Sequence, residues 1–310
     1  MGSVGPSGEG QLSVDASAAR EVVLRSWRAG QTYFPCLTGP TRDLSVDSRG
    51  VYPESFTAMI VADLLMGQPE HRFVVQSVLE MLRRELTSDA LFHFFKEHER
   101  LPADADCTAL GLSVLLRGGA PVGDEAHLAL DRMLANTSGE GVIETYFDPT
   151  GERSGLIDPV VCANTLFLAH MLGRTEAMGP TLRHVHDVLV HRAFVDGTRY
   201  YHSPDAFLYF TARLVRRFPQ THELLLEPLR DAVGERQGSS GFPLDIAQRV
   251  IISNWLGMDD GGESEVLAGM QGPDGAWPRD SLFRYGRREI YFGSDVLTTA
   301  FALRALQAYL

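Results

Sequence analysis

Lysine is almost missing: Lys96 stands alone among 28 basic residues, the rest being arginine. That bias suggests a GC-rich genome and with it a bacterial source; it carries no chemistry. Cysteine is scarce as well. Cys36, Cys107 and Cys162 form no C-x-x-C pair and, being three, no even disulfide framework, so a reducing cytoplasm is the expected compartment. No apolar run approaches the ~20 residues of a membrane span, so no integral membrane segment is expected. Positive charge is in deficit, with a net charge of −12, which disfavours nucleic acid or an anionic membrane as a general partner. The opening stretch MGSVGPSGEGQLSVDASAAR lacks a basic start followed by an apolar core and reads as a flexible arm over residues 1–18 rather than a secretory signal. Charge runs and low-complexity linkers are absent beyond it, so residues 19–310 are read as one domain.

What the chain does have is a repeat. Six segments begin with an acid and continue as an apolar helical run: from Glu54, Asp104, Asp158, Asp205, Asp245 and Asp295, with starts 50, 54, 47, 40 and 50 residues apart. Between them lie amphipathic stretches such as HRFVVQSVLEMLRREL and DEAHLALDRMLA, with apolar residues recurring at three and four, as half-buried helices require. Gly-aromatic turns precede several of the apolar runs, at Gly50, Gly197, Gly241 and Gly275, and break the preceding helix. Twelve helices alternating apolar with amphipathic predict an all-α fold, an (α/α)6 barrel with an inner and an outer ring. Strand pattern is nearly absent; FHFF and TYFD are expected as short extended pieces in loops.

One segment departs from the repeat. An acid just before each inner helix is accounted for by capping and the helix dipole, and Asp104 fits that role. Asp106 does not. The residues two on from the other five acids are Phe56, Val160, Phe207, Ala247 and Leu297. A second cap is one reading of Asp106. The other places its carboxyl in the apolar interior, where ionisation is costly and the pKa rises; a neutral acid held there is a proton donor.

Asp104-Ala105-Asp106-Cys107-Thr108-Ala109, at the start of the second inner helix of an α/α barrel, resembles the Asp-x-Asp-Asp-Thr-Ala motif of class II terpene cyclases of the squalene–hopene cyclase type. The element Gln271…Gly275…Trp277 is similar to that family's structural Gln-Trp motif, with Gln237…Gly241…Phe242 as a weaker copy. The resemblance covers about residues 20–310. It implies that Asp106, the middle acid, protonates an alkene or epoxide of a linear prenyl substrate to start a carbocation cascade, with Asp104 and Cys107 as neighbours. Cys107 stands at the motif's fourth position, in place of the family's usual third acid. Most members pair this barrel with a second one; here a homodimer or a partner domain could close the cavity.

Aromatics on the inner runs and end loops, among them Phe56, Phe207 and Trp255, are candidate cavity walls that stabilise cations without quenching them. Arg284, Arg287 and Arg288 in RDSLFRYGRRE are candidate donors to a diphosphate. Mg²⁺ enters only if the substrate is a diphosphate, with Asp259 and Asp260 as an acidic pair that could hold it; a turn and a helix cap are the better reading of that pair. No other metal is expected, since His184 and His191 lie on an amphipathic stretch without cysteine. The alternative function is a non-catalytic barrel that binds an isoprenoid or a protein. A glycoside hydrolase would need Asp106 opposed to Glu144 or Asp148, in inner helices that look too apolar for sugar.

Overall fold

A computed structural model describes residues 14–29, 33–51 and 53–307. Among them are twelve α-helices: α1 (Ala16–Ala29), α2 (Phe56–Leu65), α3 (Arg72–Glu85), α4 (Ala105–Arg117), α5 (Gly123–Ala135), α6 (Pro159–Met171), α7 (Gly179–Val190), α8 (Pro204–Arg217), α9 (His222–Arg236), α10 (Pro243–Leu256), α11 (Glu263–Ala268) and α12 (Asp295–Ala305). The even-numbered helices form the inner ring. Each packs on the next, α2 on α4, α4 on α6, and so on to α10 on α12, and α12 closes back on α2. The odd-numbered helices lie outside, each against its inner neighbour, with α1 on α12.

The division follows from side chains. In α4 every residue from Ala105 to Leu115 is buried, whereas α3 buries Val74, Val75, Val78, Leu79, Met81 and Leu82 and exposes the rest of its circumference, the stripe of a helix with one wet face. Successive inner helices are joined through an outer one, so all six run the same way. Their N-terminal ends share one mouth of the barrel and their C-terminal ends the other.

The acids that mark the repeat fall into two groups, which corrects the expected register. Asp104 and Asp158 are N-caps, with Oδ1 accepting from Cys107 N at 2.7 Å and from Val160 N at 2.9 Å; Glu54 Oε2 accepts from Thr57 N at 2.9 Å in the same sense. Asp205, Asp245 and Asp295 instead sit inside the first turn of their helices, and residues such as Ser203 and Ser294 cap α8 and α12. These three carboxylates meet arginines: Asp205 is held by Arg236 and Arg249, Asp245 by Arg42 and Asp295 by Arg279.

Two further points differ from expectation. A small antiparallel sheet forms at the N-terminal mouth from β1 (Leu37–Gly39), β2 (Arg49–Gly50), β3 (Ser281–Arg284) and β4 (Tyr291–Gly293), in the order β2-β1-β4-β3. Strands of two to four residues are too short to show alternation, and they pair across the chain, Leu37 opposite Gly293. FHFF and TYFD contribute isolated bridges, Glu54 with Phe95 and Asp104 with Tyr146. Helix α1 begins at Ala16, inside the stretch 1–18 expected as an arm, and residues 1–13 lie outside the described residues. No described helix is long and apolar enough to cross a membrane.

The Gln-Trp element ties the ends of the ring together. Gln271 Nε2 donates to Asp15 O at 2.9 Å and to Gly275 O at 3.1 Å, while the buried Trp277 donates from Nε1 to Leu267 O at 2.7 Å. Gly275 has φ +85°, and a Cβ there would lie 2.5 Å from the Ala18 backbone, so glycine is needed for the close approach of α1.

Candidate active site

Asp104 caps α4 and thereby points the next turn of the helix into the barrel mouth. Asp106, one turn position deeper, is 8% exposed. Its Oδ1 accepts from Asn164 Nδ2 at 2.8 Å and its Oδ2 from the Tyr201 hydroxyl at 2.5 Å. Asn164 comes from α6; Tyr201 comes from the loop before α8 and is fully buried against Phe210 and Phe56. No arginine, lysine or histidine pairs with Asp106 among the described residues. That separates it from the other buried carboxylates deep in the first turn, which have arginine partners.

Around the carboxyl lies an aromatic cavity. Phe56 of α2, Phe94, Phe95, Tyr146, Tyr200, Tyr201, Phe283 of β3, Tyr285 and Phe292 of β4 line it, with Leu101, Thr145, Asp104, Cys107 and Arg284. The rings brace one another: Phe283 stacks on Phe292 at 5.5 Å, and Phe94 meets Phe283 edge-on at 5.4 Å, geometries that ring quadrupoles favour. Ring faces in such a cavity stabilise positive charge without offering a nucleophile.

Burial and neighbouring charge set the proton affinity. Burial, then the Asp104 carboxyl beside it, push the Asp106 carboxyl up to about 7, although the donors Tyr201 and Asn164 pull the other way. Burial raises Asp104 to about 6, with the Cys107 amide opposing it. Burial and the two aspartates together push the Cys107 thiol up, so it stays protonated. The arrangement holds a neutral carboxylic acid near neutral pH, with two fixed donors ready for its conjugate base.

The expected site residues separate cleanly. Asp104, Asp106, Cys107, Phe56 and Arg284 line the cavity. Phe207 does not: it faces outward from α8 and packs on Phe194 at 5.1 Å, because it lies on the opposite side of the first turn. Trp255 does not either; at the end of α10 it lines a cavity at the opposite mouth. Arg284 Nη2 donates to Thr198 O at 2.7 Å, and its Nε is buried without an acceptor. Arg287 and Arg288 are exposed on the β3–β4 hairpin tip, beside rather than within the cavity, with Arg288 5.9 Å from the Tyr285 ring. Asp259 and Asp260 accept from Gly261 N and Gly262 N in the turn before α11; they are spent on their own loop and do not fit a Mg²⁺ site beside Asp106. Glu144 accepts from Gly155 N at 2.8 Å and Asp148 from Thr150, so neither opposes Asp106 across the cavity.

Sequence reasoning did not assign Asn164 and Tyr201 as partners of the acid. Asn164 carried a signal, as a polar residue in the otherwise apolar run VVCANTLFLA. Arg213 carried the same signal in α8: its Nη1 donates to Asn164 Oδ1 at 3.3 Å and its Nε to Asp63 Oδ2 at 2.9 Å. Asn164 can only donate from Nδ2 and accept at Oδ1, so Arg213 fixes which end of the amide meets Asp106.

Residues 45–171 match the family described as the sesquiterpene cyclase astC-like C-terminal domain. Drimenol cyclase drtB of Aspergillus calidoustus is 34% identical over 214 residues, 67% of this chain, while the chain spans 38% of that protein's length. Among solved structures, the type II terpene cyclase MstE from Scytonema superposes with a TM-score of 0.71 at 15% identity, over 94% of this chain and 96% of that one. A variant of it in complex with geranylgeranyl dihydroxybenzoate gives 0.68 at 14% identity, over 94% and 95%. Ent-copalyl diphosphate synthase from Streptomyces platensis gives 0.56 at 15% identity, over 81% of this chain and 50% of that one. At such identities the structures establish a common fold.

Proposed function

We propose that the chain is a class II terpene cyclase that cyclises a linear prenyl substrate by protonation from Asp106, a reading supported by the sequence match across residues 45–171 and by the likeness of fold over nearly its whole length. The observation that carries this reading is a carboxyl buried in an aromatic cavity, without a cation, with its pKa raised to about 7. A solvated carboxyl would be ionised and inert as an acid; this one retains its proton near neutral pH.

On this reading the proton leaves the Asp106 carboxyl for the less substituted carbon of the substrate's terminal alkene. The π pair forms the new C–H bond, and positive charge develops on the adjacent carbon. The carboxylate left behind accepts from Asn164 Nδ2 and the Tyr201 hydroxyl, which are already in place and need no reorganisation. Phe56, Phe94, Phe283 and Phe292 face the cation as it moves along the chain through successive ring closures. Loss of a proton or capture of water ends the sequence.

A sesquiterpene-sized, C15 chain is favoured by the family description and by the drimenol cyclase relative; a prenylated metabolite is the second candidate, given the geranylgeranyl dihydroxybenzoate complex of the structural neighbour. The cavity holds about 80 Å³, below the ~300–1,000 Å³ of ligand pockets. A chain of that size therefore enters by turning rim rings such as Phe95 and the exposed Tyr285 aside. Arg284, which lines the cavity and has a buried Nε without an acceptor, is the candidate donor to a head group, and Arg287 and Arg288 stand at the rim. A diphosphate head group would bring Mg²⁺ with it from solution.

The test is incubation with farnesyl diphosphate, geranylgeranyl diphosphate and prenylated aromatic acids, followed by a search for cyclised products that lack the substrate's terminal alkene. Asp106→Asn keeps the shape and removes the acidic proton, so product formation should fall by several orders of magnitude. Asp104→Asn still caps α4 and should lose activity only in part. Equal activity of Asp106→Asn and wild type would end the reading.

A further inference from the structure

The opposite mouth of the barrel, where the inner helices finish, holds a second cavity of about 390 Å³. Five arginines line it against one carboxylate: Arg117 of α4, Arg213, Arg216 and Arg217 of α8, and Arg304 of α12, against Asp63 of α2. Five positive charges less one negative leave +4 at this spot, in a chain whose net charge is −12. Asp63 pairs with Arg213 and Arg117. Arg216, Arg217 and Arg304 have no carboxylate partner among the described residues; Arg304 turns to Gln307.

Compensation of helix dipoles does not explain the cluster. The last turns of α2 and α10 carry no basic residue, while α8 alone supplies three of the five arginines; one cation per helix end would suffice. The guanidinium groups are also backed by rings. Arg216 lies 4.7 Å over Trp255, with Arg304 5.9 Å from the same ring, and Arg213 lies 3.7 Å over Phe167. Stacking fixes the plane of each fork and leaves its N–H edge free for an acceptor. Burial, with Arg304 and Arg117 close by, pulls the Arg216 guanidinium down; a bound anion relieves that crowding.

We propose that this basin binds a phosphate-class anion, diphosphate in preference to monophosphate. A carboxylate occupies a single fork, whereas the three unpaired arginines around one cavity match the several oxygens of a diphosphate. The site is distinct from the aromatic cavity, because Asn164 and Arg213 fill the barrel axis between Asp106 and Asp63. Its occupant is therefore not the head group of a chain lying against Asp106, and the inference stands apart from the cyclase reading.

Isothermal titration at constant ionic strength tests it, with inorganic phosphate, inorganic diphosphate and farnesyl diphosphate as separate probes. Inorganic diphosphate should saturate one site, more tightly than phosphate, and Arg216→Gln/Arg304→Gln should weaken it about tenfold or more. Those side chains are at the rim, so the variant's unliganded melting temperature should match wild type; Arg217→Gln provides a second variant if it does not. Equal binding of the inorganic and farnesyl forms identifies a free anion as the source. Tighter farnesyl binding that the double variant loses identifies a prenylated one, and either result supports the site. Absence of diphosphate binding by wild type, or unchanged affinity in both variants, overturns it. Asp106→Asn should bind inorganic diphosphate as wild type does, and loss there would move the anion to the wrong mouth of the barrel and overturn the placement.

Discussion

Replacing Asp106 by asparagine should make the protein more stable while disabling its proton donor, and the gain should depend on pH. The unfolded carboxyl titrates near 3.8 and the folded one near about 7. Between those values the folded state holds a proton that the unfolded state has released, so wild-type stability falls as pH rises through the window. At 1.36 kcal/mol per unit, the shift from 3.8 to about 7 amounts to about 4 kcal/mol lost by pH 8, with little lost below pH 4. Asparagine has no such proton. Its Oδ1 still accepts from Asn164, and its Nδ2 donates to the Tyr201 oxygen, which accepts as readily as it donates. The variant's advantage over wild type should therefore grow by about 2–3 kcal/mol between pH 5 and pH 8. Urea denaturation of both proteins at pH 5, 6, 7 and 8 measures it, and the melting temperature should separate by several degrees at the alkaline end. A difference that does not change with pH would refute the raised pKa. An asparagine variant less stable at pH 8 would show that the carboxylate is stabilised by a partner.

The remaining expectations concern rate, packing and the rim. Cyclisation should decline about tenfold per unit above the folded Asp106 value of about 7, and Tyr201→Phe, by removing a donor worth about 1.5–3 kcal/mol to the ionised form, should move that limb up by about 1–2 units; a pH profile of kcat that stays in place would detach Tyr201 from the acid. Gly275→Ala should cost about 2 kcal/mol or more, since its φ of +85° and the Ala18 backbone at 2.5 Å leave no room for a Cβ, and a melting temperature equal to wild type would contradict the packing of α1. For a diphosphate substrate, Arg287→Ala/Arg288→Ala should raise KM more than it lowers kcat, and Arg284→Ala should do so more strongly; unchanged constants in the double variant would leave the hairpin tip as bare surface.

The barrel was legible because its signal is periodic and local. Alternating apolar and amphipathic runs dictate which helices are buried all round, and a closed ring of six is what such helices can form. The sheet was not legible, since Leu37 and Gly293 meet only after the ring has closed. Phe207 and Trp255 were misplaced for a related reason. An inner helix is buried on all sides, so apolar character alone does not tell the face toward the mouth from the face toward the outer ring or the far end.

Asp106 was found by an argument whose premise the structure changes. Counted from the caps rather than from the acids, Asp106 is the second residue of α4 and Asp205 the second residue of α8, so a carboxylate at that place is not unique. What differs is the company. Asp205 is ion-paired with two arginines, Arg236 and Arg249; Asp106 has only an amide and a phenol, from residues 58 and 95 positions away, and no cation to hold it ionised. The partners were visible one at a time as polar residues interrupting apolar inner helices: Asp106 in α4, Asn164 in α6, Arg213 in α8. A polar group in such a position costs free energy unless it is satisfied, and these three meet in sequence across the axis, Asn164 donating to Asp106 and Arg213 to Asn164. Read together, those interruptions locate the polar thread from Asp106 to Asp63, and with it both mouths of the barrel.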